Sequence, residues 1–281
     1  MIKTDHWNQR KRQVLNYFLR QYHSFNVANL YLSFDLRIIH LRNIQMSSKL
    51  EEKNQIENQI KENIREKILK QNSFNLASIQ DNQDDQVDRF KSYLRTYPYV
   101  LKYLKSNETF NEESLFCALL MTYGWMPRIL NIHIEQQSLT EIIGILNTLK
   151  SDSKRIICES DLNKLKGLID NSLAGTTKLL HFCFPEVYPI WDSTIAEIIK
   201  PKGINEIRAY LAYLKVLKTP KELFEVDDSK CSNPIYSNPR VLQKIVTDEI
   251  KKLLEIKNYP RISFVRAIDL LIFASKYQKK D

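Results

Sequence analysis

The chain has 281 residues, enough for one large domain or two small ones with real cores, and its 43% hydrophobic and 27% charged content is that of a globular protein, not a disordered one. Only five glycines are present, too few for a fold built on tight β-turns, so long helices joined by short polar or proline-bearing loops are expected. A net charge of +9 favours a polyanionic partner, because lysine and arginine displace counterions condensed on phosphate.

In chain order, Asp5 caps a helix whose apolar residues Trp7, Val14, Leu15, Phe18 and Leu19 share one face. A second helix is predicted after Asn26, carrying Leu30, Phe34, Ile38 and Leu41. Ser48 and Glu51 have the spacing of a capping box and head a charged helix. Ile56, Ile60, Ile64 and Ile68 recur along that helix every four residues, beside Glu57–Lys61 and Glu66–Lys70 pairs. Residues 73–86 are rich in Asn, Gln and Asp and read as a loop, which divides an N-terminal helical region, 1–80, from a second domain, 81–281.

Helical pattern resumes from Val87 to Leu104 with a break at Pro98. A buried helix through Leu115–Leu120 ends in the aromatic turn Tyr123-Gly124-Trp125-Met126-Pro127-Arg128. Ser138 and Glu141 cap a helix reaching Leu149, and another covers Asp161–Asn171. Later helices are predicted at 193–200, 204–218, 239–256 and 262–277. Alternating strand patterns are nearly absent, so the fold is predicted to be all-α.

Cys117, Cys158, Cys183 and Cys231 are scattered without metal or cluster spacing, so no metal or organic cofactor is expected. They read as reduced, mostly buried thiols of a cytoplasmic protein. No window approaches the ~20 apolar residues of a membrane span, and MIKTDHWNQRKRQ lacks the apolar run of a signal peptide.

The most informative stretch is Leu173–Ile195, LAGTTKLLHFCFPEVYPIWDSTI. A glycine-bearing turn leads into a helix opening at Lys178. Pro185 and Pro189 then break the chain, and Asp192 sits where the next helix begins, 14 positions after the lysine. Backbone amides at such a turn, with the hydroxyls of Thr176 and Thr177, suit a phosphate. A carboxylate beside a sugar stabilises the positive charge that develops as a glycosidic bond breaks. A desolvated lysine can attack the sugar carbon instead.

Residues 161–195 resemble the helix-hairpin-helix unit of the DNA glycosylase superfamily. The resemblance makes Leu173–Thr177 the hairpin, Asp192 the catalytic aspartate, and Lys178 the lysine of members that also cleave the strand. It implies a helical glycosylase-like core with an N-terminal helical extension. Double-stranded DNA would then be the partner, with one base extruded. Gly175, Thr176, Thr177, Lys164, Lys166 and Arg128 are the expected DNA contacts, with Met126 and Arg128 placed to wedge into the duplex. Trp125, Tyr123, His181, Tyr188 and Trp191 are the expected base pocket. A defence role against modified phage DNA is one extension.

Two other readings stand beside it. Arg128 and His133 have the R-x4-H spacing of small all-α ribonucleases. A DNA-binding module without chemistry, using the hairpin and basic helices, would bind in a salt-dependent manner without sequence preference.

Overall fold

A computed structural model describes residues 13, 27–66, 76, 84–125, 131–134, 138–152, 155–224 and 238–275. Eleven helices and no strand occur among them, so the fold is all-α as predicted. The helices are α1 (Val27–Ile64), α2 (Asp84–Ser106), α3 (Glu112–Tyr123), α4 (Leu139–Ser151), α5 (Glu159–Leu168) and α6 (Leu173–Cys183). They continue as α7 (Ser193–Ile199), α8 (Glu206–Lys218), α9 (Pro220–Phe224), α10 (Pro239–Leu254) and α11 (Phe264–Ser275). No described helix is long and apolar enough to cross a membrane.

The chain divides into two compact units, Met1–Asn54 and Gln55–Asp281, with the division inside α1. In the first unit, α1 begins at Val27, where the sequence predicts a start. The predicted helix at Asp5–Leu19 and most of the 73–86 loop lie outside the described residues. The Ser48–Glu51 capping box is not a helix start: α1 runs through it, because no glycine or proline interrupts residues 27–64.

The second unit contains the main core. Ile56, Ile60 and Ile64 of α1 are buried in it, each contributing on the order of 2 kcal/mol through apolar burial. Lys61 pairs with Glu222 at 3.0 Å and Lys215 with Glu57 at 3.1 Å. Arg65 donates to the Leu223 and Glu222 carbonyls, closing the open end of the short helix α9.

Helix α2 does not end at Pro98, contrary to the sequence expectation. Proline removes the amide that would have bonded the Leu94 carbonyl four residues back. Tyr259 replaces it, its hydroxyl donating to that carbonyl at 2.7 Å. Helix α3 starts on a reciprocal cap between Asn111 and Ser114, and Pro239 opens α10 behind the cap Asn238.

Helix α6 is the centre of the unit, packed by α2, α3 and α5. Eight of its residues are buried: Leu173, Gly175, Thr176, Thr177, Leu179, Leu180, His181 and Phe182. Lys178 is one of the few positions on α6 that are only partly buried. On another side of the unit, α11 packs on α7 and α10.

Candidate active site around Lys178 and Asp192

The turn before α6 lies upstream of its predicted place. Helix α5 ends at Leu168, and residues Ile169–Ser172 make the reversal, with Asp170 and Asn171 in the left-handed region (φ 48° and 52°). Ser172 caps α6, its hydroxyl accepting the Gly175 amide at 3.1 Å. Leu173–Thr177, predicted as the hairpin, is therefore the first turn and a half of the helix. Gly175 serves close packing instead of a turn: a Cβ there would stand 2.8 Å from Ile169 Cγ2.

This placement removes three expected phosphate contacts. Gly175, Thr176 and Thr177 are buried. The Thr176 hydroxyl donates to the Ser172 carbonyl at 2.8 Å. The Thr177 hydroxyl accepts the Trp191 amide at 3.0 Å and lies within donating distance of the Ala174 and Trp191 carbonyls. Neither can face DNA.

Those bonds hold the segment that carries Asp192. His181 Nδ1 meets the Tyr188 carbonyl at 2.6 Å. A carbonyl only accepts, so Nδ1 carries the proton, and Nε2 accepts from the Tyr97 hydroxyl at 2.8 Å. The Tyr210 hydroxyl reaches the Pro189 carbonyl at 3.4 Å, and the Ile190 amide donates to Asp269 Oδ2 at 2.8 Å. Every residue from Tyr188 to Trp191 is thus fixed through a backbone group by a side chain from α6, α8 or α11. The next residue, Asp192, caps α7 by accepting the Ile195 amide at 3.0 Å. One carboxylate oxygen does this work, leaving the other for chemistry.

Lys178 and Asp192 are brought together. Burial lowers the proton affinity of the Lys178 amine, the Asp192 carboxylate opposes that effect, and the Arg266 cation adds to it. The outcome is a partly buried amine held below the ordinary lysine range beside a half-buried carboxylate. Asp192 also adds to the upward push on Asp269, so all four charged groups share one electrostatic neighbourhood.

The predicted base pocket is packed core. Tyr123, Trp125, His181, Tyr188 and Trp191 are at most 8% exposed, and a stacking slot needs an open ring face. Trp125 stacks on Tyr93 at 5.0 Å and meets the Phe182 edge at 4.9 Å. Trp191 packs on Tyr210 and Tyr213. The Tyr188 hydroxyl joins the Arg155 carbonyl and the Ile157 amide. His181 is buried and uncharged, its pKa lowered to about 3 by burial and by Arg266.

Lys164, expected on DNA, is paired with Glu141 at 2.7 Å and sits 3.9 Å from Asp161. Lys166 remains half-buried on α5. Arg128 and Met126 lie outside the described residues, and so does the arginine end of the R-x4-H pattern. Its His133 meets Asp170 at 3.2 Å. Cys117 and Cys183 are partly buried, Cys158 is exposed, and Cys231 falls outside the described residues. Among the described residues no cluster of His, Cys, Asp and Glu could hold a metal ion.

Two site residues escape a reading by motif: Arg266 and Asp269. Their signal lies in the sequence FVRAIDLLIFAS of α11, where two opposite charges interrupt an otherwise apolar helix three positions apart. Charges so placed are buried with the rest of the helix, and a buried charge needs a partner or a task.

Set beside known proteins, the chain matches no family model, no curated protein and no solved structure.

Proposed function

We propose that this protein is a DNA glycosylase that hydrolyses the N-glycosidic bond of a damaged or modified base and leaves an abasic site. The observation that carries this reading is the fixed juxtaposition of Lys178, a partly buried amine of lowered proton affinity, with Asp192. The +9 charge of the chain suits a polyanionic substrate.

In the hydrolytic course, the free oxygen of Asp192 stabilises the positive charge that grows on the sugar as the C1′–N bond lengthens. The bonding electrons leave with the base, which takes a proton from solvent. Water adds to C1′ and loses a proton to Asp192. In the alternative course, the neutral Lys178 amine forms the new bond to C1′ and becomes a Schiff base as the sugar ring opens. Both courses need the nucleotide outside the duplex stack. The packed state of Trp125 and Trp191 assigns base recognition to other residues than those two.

The test is base release from genomic DNAs, including hypermodified phage DNA, by wild type, Asp192→Asn and Lys178→Gln. Abasic sites formed by wild type and lost in Asp192→Asn support the reading. Borohydride trapping that fails only in Lys178→Gln assigns the amine as nucleophile. Salt-dependent DNA binding unchanged in all three, with no release from any substrate, would leave a binding module instead.

A further inference from the structure

Arg266 lies in the first turn of α11 and is 7% exposed. Its Nε has no hydrogen-bond partner. The groups around it are already engaged. Asp269, one turn further on, has one oxygen on the Ile190 amide and the other on the Tyr213 hydroxyl. Tyr97, whose ring centroid is 5.2 Å from the guanidinium carbon, gives its hydroxyl to His181. The Tyr259 hydroxyl is on the Leu94 carbonyl, and both His181 nitrogens are taken.

A buried guanidinium with an unpaired N–H and only a ring face beneath it lacks the counter-charge that such groups require. Its planar set of donors fits two oxygens of one anion, phosphate above all. The cation sits close enough to Lys178 to oppose protonation of that amine, so an anion on Arg266 would lie within the same neighbourhood.

We propose that Arg266 is the phosphate-binding residue of the Lys178–Asp192 site, its guanidinium taking the non-bridging oxygens of a backbone phosphate and so setting the adjacent sugar against the lysine and the carboxylate. The nucleic-acid source of that phosphate rests on the glycosylase reading; the anion site does not. Tyr97 is the platform that holds the guanidinium flat, and Asp269, fully engaged elsewhere, leaves the cation free for the substrate.

The experiment measures binding of inorganic phosphate and of a 20-mer duplex to wild type, Arg266→Lys and Arg266→Met, together with thermal stability. Phosphate is expected to raise the wild-type melting temperature by several degrees at millimolar concentration, less in Arg266→Lys, and not at all in Arg266→Met. Duplex affinity should fall about tenfold in Arg266→Met, with the salt dependence of log K shallower by about one. Arg266→Met should fold at least as stably as wild type, because it removes an uncompensated buried charge. If Arg266→Met does not fold, Arg266→Lys decides, since it keeps the charge and loses the planar fork. Phosphate shifts equal in all three proteins would overturn the proposal even if base release is found. Phosphate binding that depends on Arg266, with no base release from any DNA, would keep the anion site and end the glycosylase reading.

Discussion

The Thr177 hydroxyl accepts the Trp191 amide at 3.0 Å, tying α6 to the chain one residue before Asp192. Lys178 follows Thr177 directly, so this one bond sets the two chemical groups of the site relative to each other. Thr177→Val keeps the shape and deletes the acceptor, leaving a buried amide unpaired at a cost of about 1–3 kcal/mol. Thr177→Ser keeps the bond and should cost less. Urea unfolding reads the stabilities. Base release by Thr177→Val, assayed where the protein stays folded, should fall more than that by Thr177→Ser. Equal losses in both variants would count against the bond as the positioning element.

Two buried groups of the same network titrate in opposite directions. Burial, helped by Arg266 and opposed by the bond to Tyr188, puts the folded pKa of His181 at about 3, against 6.5 ordinarily. That group contributes stability above pH 6.5 and loses it as pH falls toward 3. Burial raises Asp269 from 3.8 to about 7, against the pull of Arg266, the Ile190 amide and Tyr213. Its contribution is fully present below pH 3.8 and is lost as pH rises through 7. Between about pH 4 and 6.5 the two slopes, each ~1.4 kcal/mol per pH unit, cancel. His181→Gln should therefore lose stability as pH rises across that window, and Asp269→Asn should gain it. Urea midpoints at pH 4.5, 5.5 and 6.5 read both slopes; variants that track wild type would refute the assignment.

Most helices were legible in the chain because their signals are local. Asp192, Asn205 and Asn238 cap helices within a residue or two of the predicted starts, and the isoleucines at 56, 60 and 64 mark the buried stripe of α1. The misplaced features depend on distant partners. Pro98 reads as a break until Tyr259, 161 positions away, supplies the missing bond to Leu94. Thr177 and His181 read as surface ligands because nothing local shows that residues 188–191 fold back onto them. Lys178 and Asp192 were found because their chemistry and spacing are visible in one short stretch. Arg266 and Asp269 were not, since their meaning comes from what α11 packs against.

Gly175 separates the packing role from the turn role. A helical glycine replaced by alanine ordinarily gains up to ~1 kcal/mol. Here the new methyl would stand 2.8 Å from Cγ2 of Ile169, which is fully buried and branched at Cβ. Gly175→Ala should destabilise by about 1–3 kcal/mol, the range of overpacking. In an Ile169→Ala background the clash is gone, and the same change should be neutral or stabilising. A cost that is identical in both backgrounds would show that the contact is not the cause.

The bond from Tyr259 to the Leu94 carbonyl predicts a second non-additive pair. Tyr259→Phe leaves that buried carbonyl without its donor and should cost about 1–2 kcal/mol. Pro98→Ala restores an amide four residues on from Leu94, and it also relieves the ring clash that proline imposes within a helix. In the Pro98→Ala background the Tyr259 hydroxyl becomes dispensable, so Tyr259→Phe should cost only a few tenths of a kcal/mol. Thermal unfolding of the four proteins in this cycle measures the coupling. A Tyr259→Phe penalty of the same size beside proline and beside alanine would mean that the hydroxyl does not replace the missing amide.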